Sequence, residues 1–343
     1  MNPIIWSILI TSLSISTIIT MSSHHWMLAW LGLELNTLSI LPITMKPQHP
    51  RATEATMKYF LIQALAAALI LFASTMNAWQ TGLWDITSSH TTTIITMAIL
   101  LKLGTAPVHL WYPEVLLGTT LNTALLISTW QKLAPLSLLY MMHNNLPNKL
   151  LLLAGLLSAL LGGWAGLNQT QTRKIMAHSS IAHMGWILIA LSIAPELTTL
   201  TLLTYMIMTT TLFSSLNTSM TKTITDMGTA WSSSPTMTTL TLLTLTSLGG
   251  LPPLTGFMPK LLILNELTMK PLLPTATALA LASLPSLFFY IRMAYTTTLT
   301  TPPTTTNTEH KWRFKATLAP THATIAALAL LLMPLSPALY TTT

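Results

Sequence analysis

Apolar side chains occur along the chain in long runs that short polar connections separate. A membrane-crossing helix needs about 20 mostly apolar residues, and the pattern predicts eleven such spans. They cover residues 3–21, 25–46, 54–79, 92–118, 122–142, 148–167, 173–192, 197–221, 236–269, 274–297 and 322–341. The connections hold turn formers, and the longest, 298–320, is rich in Thr and Pro. The pattern therefore predicts an all-α, polytopic transmembrane bundle that forms one integral membrane domain over 1–343.

The composition excludes a soluble protein. Only 7% of the 343 residues are charged and 51% are hydrophobic, whereas a soluble domain carries about 25% charged residues. The absence of cysteine excludes disulfides, thiolate metal sites and iron–sulfur clusters on this chain. We find no dinucleotide, phosphate-binding, haem or metal motif, and no nucleophile triad. The net charge of +7 comes from scattered residues, which argues against nucleic acid as a partner.

The basic residues predict the orientation of the chain. With eleven spans the termini face opposite sides, and ten Lys and Arg residues then lie on the side of the N-terminus, against two on the other side. The ten are Lys46, Arg51, Lys58, Arg173, Lys174, Lys222, Arg292, Lys311, Arg313 and Lys315; the two are Lys149 and Lys270. The positive-inside rule therefore places the N-terminus in the cytoplasm or in its equivalent, the mitochondrial matrix.

Four charged residues lie in the middle of predicted spans, where charge is costly. They are Glu34, Lys102, Lys132 and Lys260. A charge at mid-membrane costs at least about 2.5–3.5 kcal/mol, so these groups are expected to face one another or water. One carboxylate cannot neutralise three lysines, so structural ion pairs account for only part of the set. The alternative is a proton relay, because desolvation disfavours the charged form of both residue types.

Two spans contain helix breakers beside these lysines. The fourth is interrupted around 104–113, in LKLGTAPVHLWYPEV, and the ninth within 248–260, in SLGGLPPLTGFMPK. Interrupted backbone in a membrane is tolerated where it lines a cavity or is buried in protein, and transporters use it for ion sites in corresponding positions of two repeats. The offset of five spans predicts two inverted five-helix repeats, at about 3–142 and 148–297, followed by a C-terminal helix at about 322–341.

Four further titratable residues are weaker candidates for the relay. His183 lies in the middle of the seventh span, where a hydrogen-bonded core histidine is an equal alternative. His109 and Glu114 lie in the interrupted part of the fourth span, and Glu114 is expected near the side of the N-terminus. Glu266 is expected toward the opposite side, as a gate or as a solvated helix end.

Several stretches resemble the NADH dehydrogenase subunit 2 family. Its members are antiporter-like membrane subunits of respiratory complex I in mitochondria. The resemblance covers nearly the whole chain and is carried by HPRATEATMKYFLIQA, LKLGTAPVHLWYPEV, STWQKLAP, GGWAGLNQTQTRKIMAHSSIAHMGW and SLGGLPPLTGFMPK. Animal members of the family lack the first three of the fourteen helices of bacterial relatives, which agrees with eleven spans. The family's relay residues match Glu34, Lys102, Lys132 and Lys260.

The resemblance implies proton translocation across the mitochondrial inner membrane, driven by NADH oxidation and ubiquinone reduction elsewhere in the complex. It implies that Glu34 pairs with Lys102, which receives a proton from the matrix side. Lys132 then relays the proton at mid-membrane and Lys260 passes it on, with His183 as an intermediate. The chain would be a subunit of an enzyme without redox chemistry of its own. NADH, FMN, iron–sulfur clusters and ubiquinone are expected on other subunits, and the partners are those subunits, including neighbouring antiporter-like ones, and lipids.

Two other functions stay open at this stage. The chain is alternatively a structural subunit of a membrane arm without its own proton path, or a stand-alone cation/proton antiporter. Short loops argue against an autonomous carrier, and the few polar groups at mid-membrane argue against solute transport.

Overall fold

The computed structural model describes residues 3–86, 91–232, 234–299, 320–331 and 333–335, and the described part of the chain is helical, without a β-sheet. Its α-helices are α1 Pro3–Ser22, α2 Trp26–Met45, α3 Pro50–Thr81, α4 Thr92–Leu103, α5 Trp111–Gly118, α6 Leu121–Ser128, α7 Trp130–Met141, α8 Asn148–Gly166, α9 Thr172–Ile193, α10 Pro195–Thr218, α11 Ile224–Thr229, α12 Pro235–Gly249, α13 Phe257–Met269, α14 Leu273–Thr298 and α15 Pro320–Leu331. The predicted all-α membrane bundle is therefore confirmed.

Seven of these helices are long and apolar enough to cross a membrane: α1, α2, α3, α8, α9, α10 and α14. Three predicted spans each occur as two consecutive shorter helices, namely α4 with α5, α6 with α7, and α12 with α13. The last predicted span, 322–341, is described as far as α15 and a short 3₁₀ turn, Met333–Leu335. Of the basic residues used for the orientation, Lys311, Arg313 and Lys315 lie outside the described residues.

Threonine and serine side chains inside the helices bond to their own backbone. Thr201 donates to the carbonyl oxygen of Thr198 at 2.9 Å, and Thr241 donates to that of Thr238 at 2.8 Å. A hydroxyl that bonds within its own helix has no unsatisfied polar group to expose to hydrocarbon. The many threonines of these helices are therefore compatible with burial in a membrane.

The chain divides into two compact units, Met1–Leu157 and Ser158–Thr343, and the boundary falls within α8. The core of the first unit is built from large apolar side chains that solvent does not reach, among them Trp26, Ile40 and Ile70. The core of the second includes Phe213, Leu245 and Phe289. Each unit contains one of the predicted helix interruptions.

Candidate functional site

The interruption in the first unit separates α4 from α5. Gly104 ends α4 with φ +70°, a left-handed conformation that costs glycine little, and its N–H donates to the carbonyl oxygen of Leu101 at 3.2 Å. The backbone N–H and the hydroxyl of Thr105 both lie 3.2 Å from the carbonyl oxygen of Leu100. The helix resumes at Trp111, slightly earlier than the predicted end of the break. The polar backbone groups released at the end of α4 thus find partners within the protein.

Lys102 lies in the last turn of α4, next to this break. Its side chain is buried, and its ammonium nitrogen makes no hydrogen bond to the described residues. No described carboxylate lies within ion-pair distance, but Glu34 is close enough for its charge to act on Lys102. One oxygen of Glu34, Oε2, is also buried without a hydrogen-bond partner. Glu34 and Lys102 therefore make no direct contact.

Lys102 and Lys132 share a cavity in the first unit. The cavity is large enough to hold a water molecule. Its lining comprises Leu33, Asn36, Thr37, Tyr59, Gln63, Lys102, Leu103, Trp111, Tyr112, Ile127, Gln131, Lys132 and Pro135. The Lys132 ammonium nitrogen lies 5.1 Å from the centroid of the Tyr112 ring, within the range of a cation–π interaction. Two lysines from separate predicted spans, α4 and α7, thus meet at one space large enough for water.

A second break, which the hydrophobic pattern did not predict, lies just before Lys132. Thr129 separates α6 from α7 with φ −113° and ψ −73°, and its hydroxyl donates to the carbonyl oxygen of Leu125 at 2.7 Å. Pro135 lies one turn after Gln131 and has no N–H to donate to the carbonyl oxygen of Gln131. The backbone around Lys132 therefore departs from a continuous helix on both sides of the lysine.

Three amide side chains and a tyrosine complete the polar lining of this cavity. The Gln131 amide donates to Asn36 Oδ1 at 3.0 Å, and the Tyr59 hydroxyl donates to Gln131 Oε1 at 3.4 Å. Gln63 donates to the backbone carbonyl oxygen of Lys102 at 3.3 Å. Sequence reasoning missed these residues, although polar amides in otherwise apolar spans, two of them beside candidate charges, were the signal that pointed to them.

Lys260 occupies the corresponding interruption in the second unit. It lies in the first turn of α13, and its ammonium donates to the carbonyl oxygens of Gly249 at 2.9 Å and Leu248 at 3.3 Å, at the end of α12. Gly250 follows with φ +84°. The partial negative charge at a helix C-terminus stabilises a cation. Lys260 is therefore held by backbone carbonyls, whereas Lys102 is not.

A second cavity, also large enough to hold a water molecule, adjoins Lys260. His183, Trp186, Tyr205 and Met208 share its lining with Lys260. The Nε2 atom of His183 lies 3.3 Å from the Tyr290 hydroxyl, and its ring centroid lies 5.5 Å from that of Tyr205. His183 is thus a partnered histidine that also faces the space beside Lys260.

The remaining candidates lie away from the two cavities. Glu114 forms a 2.6 Å ion pair with Lys58, which also binds Glu54 at 2.6 Å, and all three side chains are well exposed. His109 is buried in the first break, with Nδ1 3.2 Å from the carbonyl oxygen of Pro107. Glu266 is partly exposed on α13. Within the described residues, no group of three or more His, Asp or Glu side chains is arranged to hold a metal ion.

Comparisons with known proteins place the chain in a family. Residues 23–285 match the family described as NADH:quinone oxidoreductase/Mrp antiporter, TM, and residues 287–340 match the family described as NADH dehydrogenase subunit 2 C-terminus. NADH-ubiquinone oxidoreductase chain 2 of Carassius auratus is 53% identical over the full length of both chains. The protein of the same name from Salmo salar is 54% identical over 99% of both chains.

Solved structures show the same fold. A chain of respiratory complex I from Thermus thermophilus, solved with bound aureothin, superposes with a TM-score of 0.85 at 25% identity, over 96% of this chain and 77% of that one. A chain of the Mrp complex from Dietzia has a TM-score of 0.79 at 15% identity, over 97% of this chain and 77% of that one. The chain therefore belongs to the NADH:quinone oxidoreductase/Mrp antiporter family of membrane proteins.

Proposed function

We propose that this chain is a membrane-arm subunit of a proton-pumping NADH:ubiquinone oxidoreductase in the mitochondrial inner membrane, and that it moves protons through its buried lysines. The full-length similarity to NADH-ubiquinone oxidoreductase chain 2 supports the assignment to that complex. The observation that carries the proton path is the cavity shared by Lys102 and Lys132. A buried lysine such as Lys102, whose ammonium makes no hydrogen bond to the described residues, is well suited to accept and release a proton as its surroundings change.

The residues of the first unit take the following roles. Glu34 stabilises the protonated form of Lys102 through its charge, without the direct contact that would hold the proton in place. Lys102 receives protons from the matrix side, which is also the side of the N-terminus. The cavity lets water carry a proton between Lys102 and Lys132, so that Lys132 relays it at mid-membrane. His109, buried in the break, is a further candidate on the entry side.

In the second unit Lys260 passes protons on toward the other side, with His183 as the neighbouring titratable group. Glu266 is a candidate for the exit. The exposed Lys58–Glu114 pair fits a solvated matrix-side position of Glu114 better than a place in the relay. The chain carries no redox group in this proposal, and NADH, FMN, iron–sulfur clusters and ubiquinone bind to other subunits.

A structural role is the second candidate, and one observation favours it for Lys260. The ammonium of Lys260 already satisfies two carbonyl oxygens at the end of α12, so its loss would leave polar backbone unpaired. Lys102 makes no equivalent bond to the residues that the structure describes. A variant in the first unit is therefore the better test of a proton relay against a structural role.

The decisive experiment replaces Lys132 by Met in the assembled complex. Methionine keeps an unbranched side chain and removes the charge and the exchangeable proton. In sealed vesicles we expect normal amounts of complex but a several-fold lower rate of NADH-driven proton uptake. Lys149→Met, which removes an exposed lysine in the first turn of α8, is the control. Proton uptake of Lys132→Met equal to that of the control would refute the proposal.

A further inference from the structure

The hydrogen-bonded residues Tyr59, Gln131 and Asn36 join three helices of the first unit. Tyr59 lies on α3, Gln131 on α7 and Asn36 on α2, and the chain of bonds runs from the Tyr59 hydroxyl to Gln131 and on to Asn36. Tyr59 is 3% exposed and Asn36 2%. All three side chains line the cavity that holds Lys102 and Lys132.

These bonds fix the orientation of each group. Gln131 donates through its amide nitrogen to Asn36, so its oxygen faces Tyr59 as an acceptor. The Tyr59 hydroxyl therefore uses its proton toward Gln131, and the lone pairs of its oxygen remain to accept a hydrogen bond from water or an ammonium group. The Tyr59 ring packs edge-on against Trp111 at a centroid distance of 5.8 Å, which restrains it further.

Tyr59 and Lys102 face the same space in the first unit. Both side chains line the cavity, and Gln63, one turn after Tyr59 on α3, donates a hydrogen bond to the backbone of Lys102. Tyr59 thus presents an acceptor at the wall of the cavity that holds Lys102.

We propose that Tyr59, oriented by the Gln131–Asn36 amide pair, is a positioning residue that holds the water through which Lys102 exchanges its proton in the cavity. Tyr59 keeps its own proton throughout. A proton leaves the Lys102 ammonium for a water molecule that the Tyr59 oxygen binds, and that water passes a proton on to the neutral amine of Lys132. Lys102 is then recharged from the matrix side. This inference rests on the proposed function of the lysines.

The alternative is that the three residues have only a structural role and hold α2, α3 and α7 together. Both views predict that breaking the bonds matters, so the test separates the hydroxyl from the packing. Tyr59→Phe removes one oxygen and keeps the ring against Trp111. Gln131→Met removes both amide bonds and keeps the length of the side chain. Tyr140→Phe, on the same unit but 38% exposed and outside the cavity, is the matched control.

The single variants and the double variant are compared as assembled complexes in sealed vesicles. We expect each single variant to lower proton uptake several-fold at normal assembly, and the double variant to be no worse than the single ones, because both act through the same hydroxyl. We also expect the pH profile of proton uptake to move in Tyr59→Phe and not in Tyr140→Phe. The titratable groups that face Tyr59 or this cavity are Glu34, Lys102, Tyr112 and Lys132.

Three results would overturn the inference. One is unchanged proton uptake and an unchanged pH profile in Tyr59→Phe. Another is a loss of assembled complex at an unchanged rate of proton uptake per complex, which is expected of a purely structural role. The third is a double variant whose loss is the product of the single losses. Lys132→Met separates the proposed function of the lysines from the inferred role of Tyr59. If Lys132→Met lowers proton uptake and Tyr59→Phe does not, only the role of Tyr59 is refuted.

Discussion

The ammonium group of Lys260 donates a hydrogen bond of 2.9 Å to the carbonyl oxygen of Gly249, across the break between α12 and α13. The last carbonyls of an α-helix have no partner within the helix, and in a membrane they find no solvent to replace it. A lysine on the next helix supplies the missing donor. The break and the lysine therefore depend on each other: the ammonium group satisfies the free carbonyls, and the carbonyls stabilise the buried ammonium group.

Replacing Gly250 by Ala tests this dependence of the break on Lys260. Gly250 has φ +84°, and an added Cβ would lie 3.0 Å from the Lys260 ammonium nitrogen, so the ammonium would have to move. We expect a loss of about 1–2 kcal/mol in stability from the left-handed backbone and, in addition, reduced proton uptake. Gly82→Ala is the matched control, because Gly82 has φ +72° and open space around an added Cβ. Equal proton uptake in the two variants, measured beside their thermal unfolding in detergent, would contradict the coupling.

The spans were predictable because membrane burial demands long apolar runs, and glycine and proline marked the breaks beside Lys102 and Lys260. The break at Thr129 was not predicted, because it contains neither residue and depends on the backbone angles and a threonine hydroxyl bond. The short helix α11 was missed because its connection is polar. Its start is a capping box between Thr223 and Asp226, a local signal that hydrophobic periodicity does not contain.

The candidate site was predictable to a different degree. Mid-span position singles out charged residues one at a time, because the type and the depth of a residue can be read from the sequence without knowing its partners. It does not reveal which of them share a space. The meeting of Lys102 with Lys132, and the hydrogen bonds of Tyr59 and Gln131, depend on how α3, α4 and α7 pack. The roles given to Glu34 and the lysines stay predictions.

Glu34→Gln tests the electrostatic part of the proposal. The amide keeps the shape of the side chain and removes the charge that acts on Lys102. Because Glu34 makes no ion pair with the described part of the chain, we expect normal assembly together with a several-fold loss of NADH-driven proton uptake. Glu196→Gln, an exposed acid in the first turn of α10, serves as the control. Normal uptake by both variants would remove Glu34 from the proton path.

The predicted orientation can be tested because the chain has no native cysteine. We expect Lys46→Cys to react with a membrane-impermeant maleimide only when the matrix side is accessible, and Lys149→Cys only from the opposite side. Both positions are exposed in the structure. Intact mitoplasts and inverted vesicles supply the two accessibilities, and the label is located on this chain by peptide mapping. The reverse pattern would place the N-terminus outside the matrix.

Lys260→Met decides between a relay and a structural role for this lysine. Both roles predict some loss of function, but they differ in what fails first. If Lys260 only caps α12, its removal leaves the carbonyls of Leu248 and Gly249 unpaired at a cost of about 1–3 kcal/mol, and the amount of assembled complex should fall. If Lys260 relays protons beside a cavity, water in that space can bind the same carbonyls, and assembly should survive while proton uptake falls.

Lys270 provides the matched control for this last variant. Its ammonium donates to the carbonyl oxygen of Ile193, at the end of α9, so it also caps a helix, but it is exposed and lies outside the cavity of Lys260. Lys270→Met should therefore remove a bond that caps a helix without removing a group of the proposed proton relay. We expect Lys260→Met to assemble about as well as Lys270→Met and to show a several-fold lower proton uptake per assembled complex. Equal uptake in the two variants, with less complex in Lys260→Met, would assign Lys260 to the structure of the break alone.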